Sequence, residues 1–110
     1  MGYVADILKA TNENEYFRKI LFTAKNSQLV VMTLQPGEDI GMEVHEENDQ
    51  FIRIEEGEGK AILNGKAYEV KDDWVVVIPA GTMHNIVNTS KKNKMKLYTI
   101  YSPPHHPDGT

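Results

Sequence analysis

Residues 60–88 read KAILNGKAYEVKDDWVVVIPAGTMHNIVN and contain four short runs rich in Val, Ile and Tyr. Runs of this length with β-branched and aromatic side chains, bounded by turn residues, are typical of β-strands. The turn residues between the runs are Asn64-Gly65, Lys71-Asp72-Asp73 and Pro79-Ala80-Gly81. Asn-Gly between two apolar runs is a signal for a type I′ hairpin. The stretch therefore predicts strands over residues 60–64, 66–70, 74–78 and 84–88.

The same pattern continues outside this stretch. Further runs predict strands over residues 17–23, 28–35, 49–55 and 95–101. Residues 3–16 are the one stretch with helical character, and their polar composition predicts a helical turn or an irregular arm. Roughly eight short strands with almost no helix predict an all-β protein, either a sandwich or a closed barrel.

The length of 110 residues predicts a single domain. We divide it into an N-terminal arm (1–16), a β-barrel (17–101) and a tail (102–110). The tail contains three prolines and a glycine, and proline cannot continue a central strand because it lacks the backbone donor.

Composition excludes several classes of function. Twelve Lys and Arg against sixteen Asp and Glu give a net charge of −4, which argues against a nucleic-acid partner. Cysteine is absent, so no disulfide or Cys-type zinc site can form. The longest apolar run, residues 74–79, is too short to span a membrane, and no signal peptide is recognisable. We expect a cytoplasmic protein.

Four polar side chains fall where an apolar core is expected. Because side chains alternate along a strand, Glu43 and His45 share a face, while Gln50 and His84 each share a face with an isoleucine two residues on. Two imidazoles, a carboxylate and an amide oxygen can hold a divalent first-row metal. The alternative is that Glu43 is a solvated carboxylate, Gln50 a hydrogen-bonded core amide, and both histidines ordinary polar residues.

The spacing of these residues resembles the two sequence motifs of the cupin superfamily. The first set comprises Gly37, Glu43-x-His45, Gln50 and Gly57, with five, four and six residues between successive members. The second set comprises Asp73, Pro79-x-Gly81, His84 and Asn88, with five, two and three residues between successive members. In three positions the chemistry departs from the family, which has His at 43, Glu at 50 and Gly at 73.

The resemblance implies an RmlC-like double-stranded β-helix, also called a jelly roll, with a metal inside the barrel. The implied ligands are Glu43, His45, Gln50 and His84, and the implied ion is Mn, Fe, Ni or Zn. Small proteins of this kind are often labelled mannose-6-phosphate isomerase-like. The resemblance leaves three functions open: a metal-dependent isomerase or dioxygenase with Glu43 as ligand or general base, a sugar- or effector-binding module, and a metal-free structural dimer.

The remaining expectations concern the surface and the chain ends. Phe51 and Arg53 should face away from the barrel interior and, with strand 17–23, form a homodimer interface, since aromatics and Arg are enriched at interfaces. Tyr98 and Tyr101 have opposite parity, so only one can line the cavity. His105 and His106 are expected in a solvated tail, with a lid over the barrel mouth as the alternative.

Overall fold

The computed structural model describes residues 2–107, and within them eight strands follow one short helix. Helix α1 covers Ile7–Glu13, and the Asp6 carboxylate caps it by accepting from the backbone nitrogen of Lys9 at 3.1 Å. The strands are β1 (Lys19–Thr23), β2 (Gln28–Leu34), β3 (Asp49–Glu56), β4 (Glu58–Leu63), β5 (Lys66–Lys71), β6 (Val75–Ile78), β7 (His84–Asn88) and β8 (Met95–Ser102). The all-β prediction is confirmed. Over the same residues, no helix has the length and apolar character that crossing a membrane requires.

The strands form two antiparallel sheets that pack face to face. One sheet has the order β1-β2-β8-β3-β6, and the other has the order β5-β4-β7. Alternate residues of β2, β3 and β8 point into the space between the sheets, where they are shielded from water. The largest fully buried apolar side chains there are Leu34, Ile52, Ile54, Ile78, Ile86, Met95 and Leu97.

The predicted hairpin between β4 and β5 has the expected turn. Asn64 has a φ of 49° and Gly65 a φ of 83°, so both central residues are left-handed, as a type I′ turn requires. Strand β6 begins at Val75, one residue later than predicted. Trp74 still belongs to the turn, because its backbone nitrogen donates to the carbonyl of Lys71 at 3.0 Å. Its indole is therefore half-exposed beside β6.

A segment without continuous strand geometry, residues 38–45, extends the smaller sheet along β7. Glu43 and His84 exchange two backbone hydrogen bonds, each of 2.8 Å. Ile40 donates to the carbonyl of Ile86 at 3.1 Å, further along the same edge. This pairing matters for the site, because it brings the first sequence motif alongside the second.

The N-terminal arm covers the part of the outer face of the larger sheet that surrounds Thr33 and Lys96. The Thr33 hydroxyl donates to the carbonyl of Asn14 at 2.7 Å, and the Lys96 ammonium donates to the same carbonyl. The Lys96 ammonium also binds the Glu15 carboxylate at 3.1 Å. Lys96 is buried although it points away from the core, and these partners satisfy its charge.

Candidate metal centre

Three of the four predicted ligands meet at one place inside the barrel. Glu43 and His45 lie on segment 38–45, and His84 is the first residue of β7. Each offers one ligand atom, and these atoms all lie within 4.8 Å of one another. The convergence follows from strand geometry: alternation puts Glu43 and His45 on one face, and the Glu43–His84 bridge places His84 directly across.

The His84 imidazole is fixed in one tautomer. It is fully buried, and its Nδ1 lies 2.9 Å from the carbonyl oxygen of Thr82. A carbonyl only accepts, so Nδ1 carries a proton, and in this tautomer Nε2 is the nitrogen that can bind an ion. Nε2 is buried and has no hydrogen-bond partner within residues 2–107. Metal-binding histidines commonly have this arrangement, in which one nitrogen is anchored to a carbonyl and the other is left for the ion.

The turn predicted at Pro79-x-Gly81 supports that anchor. The backbone nitrogen of Thr82 donates to the carbonyl of Pro79 at 3.1 Å, which closes the turn and sets the direction of the Thr82 carbonyl. Gly81 donates to the carbonyl of His45 at 2.9 Å. The turn thus fixes the tautomer of one imidazole and also holds the backbone of the other.

His45 and Glu43 are close but are not joined by a regular hydrogen bond. His45 Nε2 lies 2.9 Å from Glu43 Oε2, yet this buried nitrogen has no partner of good hydrogen-bond geometry among the described residues. At this separation the two atoms could hold one ion together. Burial lowers the pKa of His45, with the His105 imidazole acting in the same direction and the Glu43 carboxylate opposing both. The resulting neutral imidazole is the form that binds a metal.

Gln50, the fourth predicted ligand, has a protein partner. It is buried on the inner face of β3, and its Nε2 donates to the Thr99 hydroxyl at 3.0 Å. Its Oε1 is buried and without a hydrogen-bond partner among residues 2–107. The oxygen is thus available to an ion, to water or to a ligand. Direct ligation by Gln50 stays a prediction.

Tyr101 is the tyrosine that lines the cavity. It is buried, and its ring centroid lies 5.8 Å from that of His45 in an edge-on arrangement. Burial raises the pKa of Tyr101 well above its usual range, so the phenol keeps its proton. Tyr98 lies half-buried on the outer face, 6.3 Å from the Phe51 ring.

Residues 103–107 are anchored to the barrel, although Pro103, His105 and Pro107 are exposed as expected of a solvated tail. The His105 ring lies 4.1 Å from the His45 ring, and the backbone of His105 and His106 is hydrogen-bonded to Gln28. No motif in the sequence marks Gln28 as a site residue. The alternation of side chains along β2 could have indicated its position, because Gln28 shares the inward face of that strand with Val30.

A large surface cavity of about 970 Å³ lies away from these residues. It is lined by charged side chains that include Glu56, Lys71 and Lys94, and by no histidine. Without imidazoles or unpartnered buried donors, it lacks the features that distinguish the cluster inside the barrel.

Comparison with known proteins agrees with the fold and the motif spacing. A family model described as the cupin domain matches residues 30–101. The uncharacterised protein YrkC of Bacillus subtilis is 46% identical over 115 residues, which cover 98% of this chain and 61% of YrkC. The uncharacterised protein L612 of Acanthamoeba polyphaga mimivirus is 47% identical over 111 residues, covering 97% of this chain and 69% of L612.

Among solved structures, the crystal structure of BH2720 from Bacillus halodurans has a TM-score of 0.96 and 43% identity, covering 100% of this chain and 87% of that one. The chain spans only about three fifths of the length of YrkC, so the activity of a longer relative does not follow from the shared domain. The family match, the two-sheet barrel and the motif spacing lead to the same conclusion: this chain belongs to the cupin family.

Proposed function

We propose that this protein binds a divalent first-row metal inside its barrel through Glu43, His45 and His84, and that a small oxygen-rich molecule binds beside the ion. One observation carries the proposal. The buried Nε2 of His84 has no hydrogen-bond partner in residues 2–107, and beside it lie His45 Nε2 and a Glu43 carboxylate oxygen that are 2.9 Å apart. Leaving buried polar atoms unpaired costs about 1–3 kcal/mol each, and a shared ion removes that cost.

The donor set favours an ion that accepts nitrogen and oxygen together. Two histidines and one carboxylate with open positions are typical of non-haem iron sites, and Mn, Ni and Zn accept the same donors. When bound, such an ion supplies Lewis-acid activation of oxygen atoms on a ligand. Sugars and keto acids fit this chemistry, which supports isomerase or dioxygenase activity.

The protein's own residues have separate tasks beside the ion. The Glu43 side chain is 38% exposed, so it is the group at the site that can exchange a proton with a ligand or with water. The protonated Tyr101 phenol donates a hydrogen bond to a ligand oxygen. Gln50 Oε1 accepts one from a ligand hydroxyl or a water.

Elemental analysis of the purified protein tests the proposal. We expect about one Mn, Fe, Ni or Zn per chain, and chelation should lower the thermal midpoint, since an ion bound only to the folded state stabilises it. If the purified protein contains no metal and none of the four ions stabilises it, the metal-free structural role is the function that remains. A sugar or keto acid that stabilises the loaded protein and is not consumed would indicate a binding module.

We also propose a homodimer formed through the outer face of the larger sheet. Two cross-strand rows of side chains from β6, β3 and β8 lie on this face. The first row is apolar and consists of Val77, Phe51 and Ile100. In the second row, Arg53 lies between Val75 and Tyr98. Val75 and Val77 are more than half exposed. A second copy related by a two-fold axis would present the same strip to itself. Strand β1, the other predicted interface element, lies at the opposite edge of the same sheet.

Val77→Glu should convert the dimer to a monomer at micromolar concentration, because it places a carboxylate at the most exposed position of this strip. Analytical ultracentrifugation measures the change. Met83→Glu is the matched control, because Met83 is also exposed but lies in the loop that precedes β7 of the smaller sheet. A monomeric parent, or loss of the dimer only in the control, would contradict the proposal.

A further inference from the structure

Residues 103–107, hereafter the tail segment, lie across the mouth of the barrel above the metal centre. They follow β8 directly and are fastened on one side by Asn48. The Asn48 amide nitrogen donates to the carbonyl of Pro103 and, at 3.4 Å, to that of Pro104. Asn48 is itself buried, so this contact belongs to the packed part of the protein.

Gln28 fastens the other side of the tail segment from inside the barrel. Its Oε1 accepts from the backbone nitrogens of His105 at 3.1 Å and His106 at 2.9 Å. Its Nε2 donates to the carbonyl of His106 at 2.7 Å and to the Thr23 hydroxyl at 3.0 Å. Both donor hydrogens and both acceptor lone pairs of the amide are used, three of the four on the tail segment. Gln28 is fully buried.

These bonds place the His105 ring against two residues of the site. Its centroid lies 4.1 Å from that of His45 and 5.2 Å from that of Tyr101, and the His105 and Tyr101 rings are stacked. Gln28 and Tyr101 are neighbours in the strand register, so anchor and stacking partner lie side by side. His105 therefore packs against His45, a proposed metal ligand that is already buried in the barrel.

We propose that Gln28 is a positioning residue that holds His105 over His45, so that the tail segment closes the metal centre and slows the exchange of its ion. The inference rests on the proposed function, since it needs an ion at Glu43, His45 and His84. Partners in the outer shell of a metal site typically change metal affinity by about 10- to 100-fold when removed. We therefore expect a kinetic effect at the lower end of this range.

The test measures the release of Co²⁺, used as the probe ion, into an excess of chelator by stopped-flow absorbance. His105→Ala and Gln28→Leu should each release Co²⁺ about 10-fold faster than the parent. The double variant should release it no faster than either single variant, because Gln28 acts through His105. His105 is exposed at the end of the described chain, so its removal leaves the core intact and keeps the test valid if Gln28→Leu folds poorly.

Thr23→Val is the matched control. It removes the one hydrogen bond of Gln28 that does not reach the tail segment, and it should release Co²⁺ at the parent rate. A readout without metal accompanies the kinetics: ring-proton contacts between His45 and His105 in the NMR spectrum should persist in Thr23→Val and disappear in Gln28→Leu.

The outcomes separate the two proposals. A parent that binds neither Co²⁺ nor any of Mn, Fe, Ni and Zn overturns the proposed function together with the metal role of the tail segment. A parent that binds Co²⁺, with His105→Ala releasing it at the parent rate, overturns this inference alone. Effects of Gln28→Leu and His105→Ala that multiply in the double variant would refute the claim that Gln28 acts through His105.

Discussion

His84→Ala should abolish metal binding, whereas Gln50→Ala should keep most of it. The His84 imidazole is buried and held at Nδ1 by Thr82, and among residues 2–107 its Nε2 has no partner, so its loss removes a ligand that is already positioned for the ion. Gln50 offers a neutral amide oxygen, which contributes little electrostatic energy to a divalent ion, and its nitrogen already binds Thr99. The imidazole therefore carries far more of the binding energy than the amide.

The difference between thermal midpoints with and without metal measures this effect. At a metal concentration 100 times Kd, binding stabilises the folded state by about 2.7 kcal/mol. In a domain of this size that corresponds to a gain of about 10 to 20 °C. His84→Ala should lose the whole gain, and Gln50→Ala should lose only a minor part. Comparing each variant with its own metal-free form removes any effect of the substitution on the barrel. Equal loss in both variants would contradict the ranking.

Gly59→Ala should cause the largest loss of stability among the glycine substitutions. Gly59 lies on β4 where that strand pairs with β7, and a Cβ there would lie 2.0 Å from the carbonyl oxygen of Val87 and 2.5 Å from the methyl carbon of Met95. The Met95 methyl can move, but the Val87 carbonyl belongs to a paired strand. Separating β4 from β7 to make room should cost about 3 kcal/mol.

Gly65→Ala is the matched control for this substitution. No atom lies within 4 Å of a Cβ built at Gly65, so the cost there comes only from its left-handed backbone, about 1–2 kcal/mol. Thermal unfolding followed by circular dichroism should show the midpoint of Gly59→Ala falling about 15 °C below the parent and well below Gly65→Ala. A parent-like midpoint for Gly59→Ala would mean that β4 and β7 do not approach as closely as described.

Local signals in the sequence were enough to predict the strands and three residues that converge in the candidate site. Turn residues such as Asn64-Gly65 act through their own backbone preferences, so the turn that they form can be predicted without knowing the rest of the fold. Alternation placed Glu43 and His45 on one face, and motif spacing added His84. These are properties of a single strand or turn, or of a spacing shared with a family.

Contacts between distant segments were not predictable in this way. The hydrogen bond of Gln50 to Thr99 joins residues on two strands whose pairing no local pattern reveals. The tail segment was expected in solvent because its composition is polar and rich in proline. Its position depends instead on Gln28 and Asn48, two buried amides on other elements. Each amide is informative only once its position in the barrel is known.

The position of β8 in the larger sheet has a consequence for protein synthesis. This strand is the last in the chain but lies in the middle of the sheet, between β2 and β3. A nascent chain on the ribosome therefore cannot close the sheet until residue 102 has emerged, and until then β2 and β3 both expose unpaired edges. Unpaired edges are templates for association with other chains. Translation that stops before residue 95 should thus yield an aggregating product.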